Sequence, residues 1–205
     1  MYARTLAQFR LLPLLVLCLA SSGASLPKGS PTRALLPVRL VTPTVLPSGV
    51  MMSLRKELQS IMGRAGYELE LSPRATSGDV TVELRGACVV RTHASTIAYA
   101  KSAIASTAIV NGAILPSAWV NCDRVEALLA PRIADQPNSQ RDYLTGRAVA
   151  RLIAHELYHV LARERSHTQA GLAQESLGAQ ELLDERGYFD ATAIREMQPL
   201  QLTNR

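Results

Sequence analysis

Residues 139–167 read SQRDYLTGRAVARLIAHELYHVLARERSH, and this stretch decides the fold. Leu144, Ala148, Val149, Leu152, Ile153, Leu157, Val160 and Leu161 recur every three or four positions or lie beside one that does. That period predicts an α-helix with a broad apolar face, running to about Ala162. Ser139 with Asp142 three residues on resembles a capping box and places the start of the helix. Inside it lies His155-Glu156-Leu157-Tyr158-His159, an H-E-x-x-H pattern. Helical residues four apart share a face one turn apart, so both imidazoles can reach one Zn²⁺ at about 2.0–2.1 Å. Glu156 is offset by one residue, so it flanks the metal. There it can take a proton from a water that the metal has acidified. The chain has four histidines, and His155, His159 and His167 fall within one short stretch of it. The plainer alternative is a buried helix whose histidines are satisfied by ordinary hydrogen bonds.

Working outward toward the N-terminus, the chain reads as a mixture of strands and helices. Val38–Val41 is a short β-rich run, and Pro47-Ser48-Gly49 opens a helix over about 50–65. Its apolar residues Met51, Leu54, Leu58, Ile61 and Met62 keep helical spacing, and Gly63 and Gly66 stop it. Strands are expected over 67–71 and 80–84, with 88–90 extending or following the second. Residues 94–110 suit helix or strand. We read a strand over 103–110, an Asn111-Gly112 hairpin turn, and a return strand over 114–120. Pro116 interrupts that return strand, which points to a sheet edge. A short helix over 123–129 and a loop over 131–138 lead into the long helix. A last helix spans about 190–197 with Asp190 as its N-cap.

The N-terminus has the form of a secretory signal peptide. Arg4 and Arg10 precede a short apolar run over 11–20, and Ser22-Gly23-Ala24 fits a small-x-small cleavage site. The expected division is residues 1–24 as signal peptide, 25–37 as a Pro/Ser-rich linker, and 38–205 as one domain. An uncleaved anchor is the other reading of the leader. Export means secretion, or the periplasm if the source is bacterial. No other stretch approaches membrane-spanning length. Loss of Arg4 and Arg10 takes Lys+Arg from 22 to 20 against 17 Asp+Glu, so the charge falls from +5 to +3. This mild surplus, without basic blocks, gives no reason to expect nucleic acid as a partner. Cys88 and Cys122 remain after cleavage. In an exported chain they can form a disulfide, or they stay as two buried thiols.

On the HELYH motif the sequence resembles the zincin metallopeptidases. The likeness is strict over 155–159, looser over 139–167, and holds only in outline for the strand-rich half before it. It implies an α+β fold, a compact zincin-like domain with a small mixed sheet packed on a long zinc helix and a C-terminal helix. It also implies His155 and His159 as Zn²⁺ ligands and Glu156 as general base. An edge strand would pair with extended peptide, and 114–120 is the candidate. The metzincin branch continues H-E-x-x-H-x-x-G-x-x-H, but this chain has Ala162 for the glycine and Arg165 for the last histidine. The histidine arrives at His167. A straight helix would carry it about 12 Å along the axis from His159, so the helix must end between Ala162 and Ser166. The gluzincin branch would supply a glutamate instead, for which Glu175 and Glu181 are the candidates.

Other residues carry weaker readings. Met197 is a floor beneath the metal or a core methionine. Tyr158 packs, Tyr188 is a candidate transition-state donor, and His93 is isolated. The function expected is a secreted zinc-dependent peptidase acting on a peptide or protein substrate, with no membrane partner beyond the leader. Two alternatives stay open: a non-catalytic zinc-binding or interaction module on the same fold, and a zinc hydrolase or amidase of non-peptide substrates.

Overall fold

Every strand on the N-terminal side of the molecule buries alternate residues. Leu36, Val38 and Leu40 are buried on one strand, Tyr67 and Leu69 on a second, Val80, Val82 and Leu84 on a third. Their neighbours Glu68 and Glu70 are exposed. A period of two puts all these apolar side chains on one face, so the helices must cover that face. The computed structural model describes residues 33–74, 79–91 and 103–198. In chain order the elements are β1 Ala34–Val41, α1 Ser48–Arg64, β2 Tyr67–Ser72, β3 Val80–Arg85, β4 Ala105–Val110, β5 Ala113–Asn121, α2 Cys122–Ile133, α3 Asn138–Ala162, α4 Ala179–Leu183 and α5 Ala191–Met197. The fold is α+β with a five-stranded mixed sheet in the order β2-β1-β3-β5-β4. β1 pairs in parallel with β2 and β3, and β3 with β5; only β4 runs antiparallel, against β5.

The sheet order corrects one expectation. Residues 114–120 are not the edge, because β5 lies between β3 and β4. The edge is β4. Pro116 is tolerated because β3 pairs with β5 only from Ser117 onward, and the β4–β5 register shifts between Thr107 and Ile109. A proline at such an irregularity removes no ladder hydrogen bond. Asn111 and Gly112 both take positive φ, 50° and 81°, as expected of a two-residue hairpin turn.

Other boundaries also moved. β1 begins at Ala34, so 34–37 are strand rather than linker; Pro37 faces only β2, since β3 pairs with β1 from Val38. α2 continues through Pro131 to Ile133, where a loop was expected, because Leu129, Ala130 and Ile133 are buried. α3 begins at Asn138 behind Pro137, and no side chain caps it. The Pro137 carbonyl accepts from the Gln140 and Arg141 amides, which takes over the role expected of Ser139. Asp190 caps α5 as expected, its Oδ1 accepting from Ala193 N at 2.7 Å.

α3 is the central element. From Thr145 to His159 every residue is buried, with α1, α2, α4, α5, β4 and β5 packed around it. Helix α1 approaches so closely that a Cβ at Gly146 would lie 2.3 Å from the Val50 carbonyl oxygen. The Ser53 hydroxyl donates to the Tyr143 carbonyl at 2.6 Å across the same crossing. Arg151 is wholly buried on α3. Its Nε donates to Glu57 on α1 at 2.9 Å and its Nη1 to the Glu181 carbonyl at 2.7 Å. That arginine clamps the C-terminal segment onto the helix pair, and Glu57 offsets part of the cost of burying its charge, which still lowers its pKa.

Candidate metal centre

α3 carries His155 and His159 one turn apart, and the chain must turn back to add a third group. It does so at Arg163, which caps the helix in the left-handed conformation, φ 55° and ψ 31°. That conformation usually belongs to glycine; here a non-glycine residue adopts it, one position after Ala162. The helix ends within the expected window, and the returning chain delivers His167. Ring centroids lie 4.9 Å apart for His155 and His159, 5.3 Å for His155 and His167, and 4.8 Å for His159 and His167. Each residue offers a nitrogen within 4.8 Å of the others, and these three histidines can hold a metal ion.

The backbone sets the orientation of the two helical rings. His155 Nδ1 lies 2.7 Å from the Leu172 carbonyl oxygen, and His159 Nδ1 lies 2.8 Å from that of Glu164. A carbonyl only accepts, so each Nδ1 carries the proton and each Nε2 presents a lone pair. The two Nε2 atoms face one another at 3.2 Å. Two ligands of one tetrahedral ion with bonds of about 2.0–2.1 Å would stand roughly 3.3 Å apart. Facing lone pairs repel in a buried site unless a cation lies between them, so this donor set fits a metal. Burial holds His155 well below the usual imidazole range, at about 4, against the opposing effect of the Leu172 carbonyl. Burial also lowers His159. Both rings are therefore neutral at pH 7, the form that ligates.

The loop that returns His167 is itself fastened. Leu172, whose carbonyl orients His155, donates its own N–H to the Tyr188 carbonyl at 2.9 Å. Gly171 takes φ 75°, and a Cβ there would lie 2.7 Å from the same Tyr188 oxygen. Tyr158 is buried and packs as expected; its hydroxyl lies 2.7 Å from Glu196 on α5 and 3.3 Å from the Ser166 carbonyl.

Glu156 is buried beside the cluster. Burial pushes its carboxyl up to about 7, and the Thr107 hydroxyl works in the opposite direction. Thr107 comes from β4, the edge strand. Its Oγ1 lies 2.6 Å from Glu156 Oε2 and 3.2 Å from the Glu156 carbonyl oxygen. The sequence reading missed this residue. Its only trace was a threonine in the ambiguous run 94–110, and nothing local tied it to Glu156. A cavity of about 310 Å³ is lined by the three histidines, Glu156, Thr107, Ile109 and Ile114, with Glu164, Arg165 and Glu175 also contributing. A second, of about 280 Å³, is also lined by His155 and Glu156, together with Ile104, Leu152 and Leu177. Ala105 and Glu175 line both.

The glutamate alternatives do not join the cluster. Glu181 caps α4, its Oε2 accepting from Gly178 N at 3.0 Å, and it lines a different hollow. Glu175 lines both cavities but is exposed and lies outside the three-histidine group. The chain that folds back at Arg163 brings His167, not a glutamate, to the His155–His159 pair. Tyr188 lines the hollow that Glu181 shares, not the metal cavity, so it is not placed to act there. Met197 is a core residue of α5 whose carbonyl accepts from the Tyr67 hydroxyl, not a floor of the cavity. His93 lies outside the described residues. Cys88 and Cys122 form a disulfide joining the turn after β3 to the start of α2. Among the described residues no helix is long and apolar enough to cross a membrane. No family model and no curated protein matches the chain, so the functional argument stands on the site.

Proposed function

We propose that this protein is an exported zinc-dependent peptidase with a zincin-like site, hydrolysing peptide bonds with Glu156 as general base. The observation that carries the reading is the convergence of three imidazoles and one buried carboxylate on a single open cavity beside a sheet edge. Zn²⁺ suits three imidazole donors and needs no redox partner. When bound, it would supply Lewis-acid polarisation and acidify a water. His155, His159 and His167 would hold it. The Leu172 and Glu164 carbonyls fix the two helical rings, so the ligand geometry is set before the ion arrives.

Glu156 accepts a proton and later returns it. A carboxyl at about 7 is matched to that exchange near neutral pH, where both forms are populated. β4 is an edge strand among the described residues and offers backbone groups to an extended chain, and the two cavities that Glu156 lines give room for substrate side chains. Ile109 and Ile114 make one wall apolar. An open cavity at the cluster favours an enzyme over a closed structural metal site. The disulfide supports export, because such bonds persist in oxidising compartments.

The test is metal content and hydrolysis together. Wild type should carry about one zinc per chain by elemental analysis. His155→Ala should lose it, His167→Ala should bind far more weakly, and Glu175→Gln should keep it. Glu156→Gln should retain zinc and lose fluorescein-labelled casein hydrolysis by about 10²–10⁴-fold. Equal zinc in wild type and His155→Ala would sink the metal assignment. Full activity in Glu156→Gln would sink the mechanism.

A further inference from the structure

We propose that Thr107 is the positioning residue of the general base: its hydroxyl holds Glu156 Oε2 and fixes the carboxylate toward the cavity. The proposal rests on the peptidase reading for its consequence in turnover, and on geometry alone for the contact.

Four observations converge on it. The Oγ1–Oε2 separation is 2.6 Å, and Thr107 is 8% exposed with Glu156 at 4%. A short hydrogen bond to a carboxylate at such a depth is among the stronger ones a side chain makes. Second, β4 has one residue buried below the intermediate range, and that residue is Thr107. Valine would have the same shape and a better strand propensity at a buried position, so packing gives no reason for the hydroxyl. Third, Thr107 pairs with Ala118 in the regular part of the β4–β5 ladder, before the register shifts, so the strand's own alternation sets the side chain toward α3. Fourth, the hydroxyl has two acceptors from one residue, Oε2 and the Glu156 main-chain oxygen at 3.2 Å. Both contacts go to one residue, so the hydroxyl ties the Glu156 carboxylate to its own main chain and fixes its direction.

The decisive readout is spectroscopic and needs no substrate. Zinc-loaded protein labelled with ¹³C at the glutamate carboxyls is compared across variants, the Glu156 resonance being the one that Glu156→Gln removes. Thr107→Val should move that resonance, and Thr107→Ser should return it. Thr107→Ala gives the same comparison if the valine variant does not fold. An unmoved Glu156 resonance in Thr107→Val or Thr107→Ala overturns the proposal. With labelled casein as substrate, Thr107→Val should lower kcat about 10–100-fold, the usual effect of removing such a supporting partner, with KM unchanged and zinc retained. Thr107→Ser should restore it. Equal loss in the valine and serine variants would point to packing and overturn the proposal. If Glu156→Gln cleaves casein as wild type does, the peptidase reading fails by itself, and the resonance still decides Thr107.

Discussion

At the metal site, chemistry and burial oppose each other at His155. The ring is buried, so its charged form is disfavoured and its pKa sits near 4 instead of 6.5. A histidine lowered in this way adds stability above its unfolded pKa of about 6.5. That contribution is lost as pH falls from about 6.5 toward 4. Glu156 is raised and has the opposite sign: its contribution is present below about 4.5 and is lost as pH rises through about 7. The two overlap, so a single melting curve does not separate them. We predict that, on going from pH 7 to pH 5, the melting temperature of metal-free wild type shifts downward relative to that of metal-free His155→Gln, which keeps only the Glu156 contribution. An identical change in the two proteins would show that His155 carries no such coupling. His155, Glu156 and His159 were legible from spacing, because a helix converts a four-residue interval into one shared face. Thr107 was not, because its partner lies 49 positions away in the chain.

The α1–α3 crossing is the tightest helix contact at α3 that a glycine permits. It depends on Gly146, where a Cβ would also meet Ser53 Cβ at 2.8 Å and Leu54 N at 3.0 Å. Alanine is the better helix former by about 1 kcal/mol, but two of the three neighbours are backbone atoms and do not yield as a flexible side chain would. Overpacking of this kind costs about 1–3 kcal/mol. Gly146→Ala should therefore destabilise the protein in urea unfolding while zinc per chain stays the same. Unchanged or greater stability would mean that the helices separate freely here. The end of α3 follows a different logic. The motif spacing required a stop between Ala162 and Ser166, yet the residue that makes the turn is Arg163, which propensity alone would not select.

Over the whole molecule, the disulfide closes the segment that carries the edge strand. Cys88 and Cys122 are separated by 34 positions, and β4, β5 and Thr107 lie between them. Closing a loop of that size stabilises by roughly 3–4 kcal/mol on the chain-entropy account. The Cys88→Ser/Cys122→Ser double variant should melt at a lower temperature by that equivalent. It should still bind zinc at low temperature, because all three histidines lie outside the loop. Loss of zinc in the folded variant would show that the hairpin is needed to build the metal site and not only to cover it. The sequence by itself determined what is periodic or local: the long helix, the H-E-x-x-H face, the Asn-Gly hairpin turn, the Asp190 cap and the α+β mixture. Only the tertiary structure decided the order of the strands, and hence that β4 and not β5 is an edge. Only it grouped His167, and not Glu175 or Glu181, with His155 and His159, and set Thr107 against Glu156. These outcomes depend on how segments far apart in the chain stack on one another, and no periodicity within a segment records that.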